Sequence, residues 1–488
     1  MNVLMIEVPT LERDGSVPFG LLYAASSAYR NGHNVKILDI AKENLNYADI
    51  KRTIEDFSPG LIGLGGITAT YKNCKELARN IKNDFNDIPI VVGGVITSVT
   101  DLLLKNAQVD FVVHGEGEIS FPNLINAIED KKNISLVKGI SFLKENKIFS
   151  TERQPRIGNL DDIPFPDYSL LEMNRYVESA EDWVKWYFKD DANEYLKMIE
   201  NLSGEKLFPI ITSRGCPYRC TFCYRHQKGW RQHSVEYVVK MMKNLRNKYD
   251  VGVFQINDEL TTLNKKWVLA FCDAIINEKL GTYFIILSSR VDTVDEEMLR
   301  KLKEAGCLMI NYGYESGSDT ILKEIRKGAT RKQALKAGLL TKKVGLKNIP
   351  EIIIGFPSET EETVAETIDF LKQLDTWPVS INTPIPFPET PLWEYAVEHN
   401  LIKDKEDFVL GYKRRLFLNF TRYSDEKALR FVQKVSYDVK LNWLKNRKKY
   451  GLYIRCFLKK LLIVYIKPAL PKAIYSVLKR SYHKFFKR

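Results

Sequence analysis

Short apolar runs alternate with longer amphipathic stretches over about the first 130 positions of the chain. Val3 to Val8 reads as a strand, Phe19 to Arg30 as a helix closed by Asn31-Gly32, Val35 to Ile40 as a strand and Tyr47 to Phe57 as a helix. Leu61 to Leu64 is a strand ending in Gly65-Gly66. Asn73 to Asn83 is a helix, and Ile88 to Val92 a strand ending in Gly93-Gly94. Val109 to Val113 is a fifth strand, followed by His114-Gly115-Glu116-Gly117-Glu118 and a helix to about Glu129. Strands separated by helices predict a doubly wound, Rossmann-like (flavodoxin-like) α/β domain over residues 1–135. Its glycines follow the strand C-termini, where such sheets bind ligands.

The pattern loosens over 136–204, read as a connector or insert. Ile140 to Ser150 resembles a hairpin, Ile163-Pro164-Phe165-Pro166 excludes regular helix, and Ser179 to Gly204 is polar and acidic, like a helical insert or lid. A second alternation starts at Phe208. Strand-like runs are Phe208 to Thr212, Gly252 to Ile256, Tyr283 to Leu287, Leu308 to Tyr312, Glu351 to Ile354 and Val379 to Thr383, with helical patterns between them. Six such units over 205–395 predict a partial (β/α)6 barrel with its site at the strand C-terminal ends. Beyond Pro391 the alternation stops, and 396–488 reads as a helical region with a basic tail.

Composition changes this picture in two places. With 44% hydrophobic and 27% charged residues, the 488-residue chain is globular rather than disordered. Its seven Cys include three within eight positions, which is no disulfide framework and predicts a reducing, cytoplasmic setting. The net charge of +12 is local: from Leu441 to Arg488 there are 14 Lys and Arg and no Asp or Glu, which leaves the rest near neutral. The apolar run Phe457 to Ile466 is too short to span a bilayer, and with Trp443 and the interleaved Lys and Arg the tail fits a helix lying on an anionic membrane surface. Nucleic acid is the weaker alternative, because the charge sits apart from the chemistry.

That chemistry centres on Ser213-Arg214-Gly215-Cys216-Pro217-Tyr218-Arg219-Cys220-Thr221-Phe222-Cys223, a C-x-x-x-C-x-x-C loop after the first barrel strand. Three thiolates can hold three irons of a 4Fe–4S cluster and leave the fourth open to a chelating ligand. Zinc, with His226 as fourth ligand, is the alternative. Cys272 and Cys307 show no metal spacing and read as buried small hydrophobes.

The segment resembles the cluster motif of the radical S-adenosylmethionine (SAM) superfamily, including Phe222 before the last Cys. The resemblance continues in order along residues 205–395. Asn257-Asp258-Glu259 resembles the polar motif for the SAM amino group, in the form seen in the cobalamin-linked branch rather than as glycine-glycine-glutamate. Ser289-Arg290-Val291-Asp292 resembles that branch's arginine segment near the SAM carboxylate, and Gly313-Tyr314-Glu315-Ser316-Gly317-Ser318 its segment near the ribose. Ile354-Gly355-Phe356-Pro357 resembles the adenine-side motif, and Pro384 to Leu392 the segment after the sixth strand. The resemblance thus implies SAM contacts at Phe222, Asp258, Glu259, Arg290, Glu315, Ser316 and Gly355, with Cys216, Cys220 and Cys223 on the cluster. It implies a 5′-deoxyadenosyl radical and an electron donor such as flavodoxin or ferredoxin. No catalytic residue is assigned.

Residues 1–130 resemble the cobalamin-binding domains of the same branch, through Pro18-Phe19-Gly20-Leu21, Gly63 to Thr68, Val91 to Gly94 and His114 to Glu118. That implies cobalamin contacts at Gly65, Gly66, Thr68, Gly93, Gly94, Gly115, Glu116 and Gly117. The D-x-H-x-x-G of methionine-synthase-like domains is absent: the loop Pro9 to Pro18 has no His, so no His ligation of cobalt is expected, and His114 reads as structural. The implied activity is methylation of an unactivated carbon through methylcobalamin, on a small-molecule or lipid substrate. Two alternatives stay open: a radical SAM oxidative cyclase or rearranging enzyme without methyl transfer, resembling the anaerobic cyclase of chlorophyll biosynthesis, and a non-catalytic metal- or cluster-binding protein.

Overall fold

The computed structural model describes residues 1–9, 16–188, 202, 204–225, 229–412 and 417–466. The first sheet consists of β1 (Asn2–Glu7), β2 (Asn34–Asp39), β3 (Leu61–Gly65), β4 (Ile90–Gly93), β5 (Phe111–Val113), β6 (Ile140–Lys144) and β7 (Lys147–Ser150). Their order is β2-β1-β3-β4-β5-β6-β7. The five parallel strands have the flavodoxin-like order, which reverses between β1 and β3. Strand ends stay in register: Glu7 pairs with Gly65, Gly65 with Gly93, and Gly93 with Val113. The glycines therefore lie along one edge. The hairpin β6–β7, within the stretch read as connector, extends this sheet antiparallel to β5.

The second sheet runs β16-β15-β14-β13-β12-β9-β8. Here β9 is Lys206–Ile210, β12 Val251–Ile256, β13 Tyr283–Ser289, β14 Cys307–Glu315, β15 Pro350–Ile353 and β16 Ser380–Asn382. These six are parallel and neighbour one another in chain order, as expected of a partial barrel. The two-residue β8 (Glu178–Ser179) adds an antiparallel edge. Between β9 and β12, a small ribbon pairs β10 (Ser213–Arg214) with β11 (Arg231–Gln232).

One face of the barrel sheet, with Phe208, Phe254, Ile286 and Ile310, packs on the surrounding helices. The other carries Leu207, Val253, Ile285 and Met309 and is filled by helix Ala180–Phe188 through Trp183, Val184 and Phe188. This part of the segment read as a lid is thus a plug beneath the site; residues 189–201 and 203 lie outside the described residues. Its aromatic spacing at 183, 187 and 188 is the signal that an acidic composition masks.

The C-terminal helices tie the two sheets together. Helix Lys405–Leu410 places Glu406 against the first domain, accepting from Tyr71 Oη at 2.7 Å and Asn106 Nδ2 at 2.7 Å and pairing with Lys75 at 2.6 Å. One apolar cluster runs from Leu4 and Ile62 of the first sheet to Phe356 of the barrel and Trp393 and Phe408 beyond it. Helix Asp425–Asn446 packs on the barrel through Phe431, Val435 and Val439.

Candidate functional site

The C-terminal edges of the two sheets face each other across a cavity of ≈ 460 Å³. Gly65, Gly66, Gly93, Gly94, Gly115 and Gly117 line the first-domain side, with Glu116 and the entry to helix Phe19–Arg30. Arg214, Gly215, Asn257 and Glu259 line the barrel side. Seven of the eight residues expected at a cobalamin site thus share this wall. Thr68 does not: it is buried, and its Oγ1 lies 3.0 Å from Ser98 Oγ. Gly94 needs its glycine, with φ +94° and Gly66 O 2.7 Å from where a Cβ would sit. At Gly93 a Cβ would meet nothing nearer than Val113 O at 3.9 Å, so the wall is backbone with open space before it. Such a bare, concave edge fits a large flat cofactor. His114 points away, its Nε2 2.7 Å from Ser141 Oγ on β6, and burial lowers its pKa; of the His-free loop, residues 10–15 lie outside the described residues.

The three thiols sit in the loop between β10 and β11. The loop is tied at Thr221, whose N–H donates to Ile325 O and whose carbonyl accepts from Leu392 N, each at 3.0 Å. Phe222 turns into the apolar cluster, its ring 5.6 Å from that of Phe356. Cys223 reaches solvent yet lies deep among protein atoms. That burial, then Cys220, Cys216, Glu259 and Glu315, pushes its thiol up to about 12, and burial also raises Cys216. Loading a metal here must release protons. Among the described residues no three His, Cys, Asp or Glu side chains converge on a single ion. A cubane instead asks each thiolate to reach its own iron. His226 lies outside the described residues.

The residues expected around SAM divide into two groups. Asp258 is buried and saturated: Thr212 N–H (2.6 Å), Thr212 Oγ1 (2.5 Å), Ser213 N–H (3.0 Å) and Ser213 Oγ (2.8 Å) all donate to it. Burial raises its pKa against these four donors. It fixes the approach to the cysteine loop rather than offering a carboxylate to a ligand. Arg290 is similarly committed, to Asp292 at 2.8 and 2.9 Å, to Lys327 O at 2.5 Å and to the Tyr218 ring. Ser316 is buried against Thr367 at 3.2 Å.

Glu259 faces the cavity; its deep setting, then neighbouring Asp258, lifts its carboxyl to about 7, with Arg225 opposing. Glu315 takes Lys327 Nζ at 2.8 Å. Beside them Glu351, on β15, is lifted to about 7 by burial and by Glu315, against Lys327. Gly355, at φ +117°, donates its N–H to Glu359 at 3.0 Å. Ser289 Oγ, at the end of β13, and Thr261 Oγ1, in the loop after β12 where the Thr261 N–H donates to Ser288 O, are buried with no hydrogen-bond partner among the described residues. A polar ligand at these strand ends would satisfy them, so the donor set fits SAM, with Glu259 for its ammonium.

Arg231, Lys327 and Thr261 stand in no motif legible in the sequence, Glu351 only in an apolar strand pattern, and Ser289 only as the first residue of the arginine segment. Arg214 was visible beside the first Cys, but nothing in its spacing revealed its partners.

Comparison with known proteins agrees with this geometry. A family model described as the radical SAM superfamily matches residues 210–371, and one described as a B12 binding domain matches 14–125. An uncharacterised methyltransferase of Pyrococcus horikoshii is 34% identical over 413 residues, 82% of this chain and 84% of that protein. The anaerobic magnesium-protoporphyrin IX monomethyl ester cyclase of Rubrivivax gelatinosus is 27% identical, over 76% of this chain and 65% of its own length. Among solved structures, the radical S-adenosylmethionine methyltransferase TsrM of Kitasatospora setae, with cobalamin and a [4Fe-4S] cluster bound, superposes with a TM-score of 0.64 at 19% identity. That match covers 82% of this chain and 75% of that one, and shows the shared fold.

Proposed function

The chain belongs to the radical SAM superfamily, in the branch that carries a B12 binding domain ahead of the barrel, and from that membership we propose that it methylates an unactivated carbon of a small-molecule or lipid substrate. One observation carries the reading: the glycine-lined edge of the first sheet and the start of the cysteine loop, at Arg214 and Gly215 just ahead of Cys216, line one cavity. When bound, the cluster with SAM supplies a hydrogen-abstracting radical and cobalamin a methyl carrier. The chain's own residues bind and orient. Cys216, Cys220 and Cys223 would hold the cluster, and the backbone at Gly65, Gly66, Gly93 and Gly94 would admit the corrin. Glu259, poised near neutrality, would hold the SAM ammonium or a proton. Asp258 and Arg290 keep the loop in place.

The test is anaerobic reconstitution followed by incubation with SAM, dithionite and hydroxocobalamin. Cobalamin retention with 5′-deoxyadenosine formation, abolished by Cys220→Ala, is expected. Deoxyadenosine without cobalamin retention would overturn methyl transfer. Once a substrate is in hand, a product heavier by a CH₂ unit separates methylation from cyclisation.

The reaction needs an external reductant, with flavodoxin or ferredoxin the proposed class. An anionic membrane surface is the proposed second partner. Among the described residues no helix is long and apolar enough to cross a membrane. Helix Tyr450–Lys460, however, exposes Tyr450, Ile454 and Leu458 at helical spacing, with Arg455 and Lys459 alongside. Binding to anionic liposomes should fall when Ile454 and Leu458 are replaced by Ser; unchanged sedimentation would refute it.

A further inference from the structure

The cysteine loop begins at Arg214 and ends at Arg231, which face each other across the β10–β11 ribbon. Both arginines grasp one carboxylate of the other domain. Glu116 Oε1 accepts from Arg214 Nη1 at 3.1 Å and Arg231 Nη2 at 2.8 Å, and its Oε2 from Arg231 Nη1 at 3.0 Å. Arg214 extends its other nitrogen to Glu118 at 2.7 Å, in the first turn of helix Gly117–Glu129, where the helix dipole favours an anion. The Tyr23 ring lies 4.6 Å from the Arg214 guanidinium, and Ser27 Oγ donates to Glu118 O at 2.5 Å. The four charged side chains are 6 to 14% exposed. Two carboxylates and two guanidiniums thus form a neutral, nearly buried network. It cannot stretch without leaving a charge unpaired in a poor solvent for it.

Glu116, Gly117, Glu118, Arg214 and Gly215 also line the cavity. Resting on the reading of that cavity as the cobalamin site, we infer that Arg214 and Arg231 are positioning residues: through Glu116 and Glu118 they couple occupancy of the cavity to the geometry of the cysteine loop. A cofactor pressed on the turn at Gly115 and Gly117 shifts Glu116, and both ends of the loop follow. Glu116 thereby acts as a clamp on the loop rather than as a cofactor ligand. Linkage makes the effect reciprocal, so that a loaded cluster changes the affinity for cobalamin by the factor with which cobalamin changes that for the cluster.

The experiment titrates hydroxocobalamin, by absorbance, into cluster-loaded and iron-free full-length protein under anaerobic conditions. In the wild type the two dissociation constants should differ by about fivefold or more. In Glu118→Gln and in Arg231→Gln the ratio should fall towards one while both forms still bind. A purely structural role would weaken both affinities together and leave the ratio unchanged, which overturns the inference. Should the variants not fold, the wild type decides: a ratio of one is equally fatal. A wild type that binds no cobalamin in either state would instead defeat the reading of the cavity itself.

Discussion

The guanidinium of Arg290 lies 3.5 Å from the centroid of the Tyr218 ring, between the first two cysteines of the loop, while its fork closes on Asp292. A planar cation is needed for both contacts. Arg290→Ala leaves Asp292 without its partner in a largely buried setting and should cost about 3 kcal/mol or more in stability. Arg290→Lys keeps the charge but loses the stack and the fork, and should lower iron bound per chain after reconstitution. Full iron content with an unchanged Tm would count against this role.

Neighbouring carboxylates should separate cleanly. Asp258→Asn turns an amide towards the donors of Thr212 and Ser213, costing about 1–3 kcal/mol, and should reduce cluster retention. Glu259→Gln should leave iron content intact and weaken SAM binding, measured by calorimetry on the reconstituted protein. The reverse pattern would exchange their roles.

Gly93→Val tests the first-sheet wall. The space before Gly93 is open, and a β-branched residue suits a strand, so melting should move little. The side chain projects where a corrin would lie, and retention of hydroxocobalamin after desalting should fall about tenfold or more. Normal retention would place the cofactor elsewhere.

Gly317 is the opposite case. A Cβ there would stand 2.6 Å from Phe370 Cβ and 2.7 Å from Thr367 Cα, atoms that cannot swing aside. Gly317→Ala should destabilise the barrel by about 1–3 kcal/mol, read from chemical denaturation.

Glu351 gives a pH signature. Its folded value, about 7, lies above the ordinary value of 4.5, so its favourable contribution is complete below that unfolded value and is lost as pH rises through about 7. Stability of the wild type should therefore fall over this window relative to Glu351→Gln, whose melting curve should be flatter. Parallel pH profiles would show that Glu351 does not titrate there.

The two sheets were legible because their strands are apolar runs bounded by glycine, and the cysteine loop because its spacing is rare. The six barrel strands and the glycine edge follow from that pattern. The tasks of individual side chains did not. Asp258 and Glu259 are adjacent and chemically alike, yet one is saturated by a turn 45 residues upstream and the other faces open space. Thr68, two residues from Gly66, turns to Ser98 because a short 3₁₀ segment, Thr68–Thr70, intervenes. Such assignments depend on contacts distant in sequence, which periodicity does not carry.

Helix Ala180–Phe188 fills the concave face of the barrel sheet behind the strand ends. The barrel is therefore a cup and not a pipe. The cavity shared with the first domain lies on the open side of that cup. A molecule held there sits between two domains, so the fit between them bears on turnover as well as on chemistry.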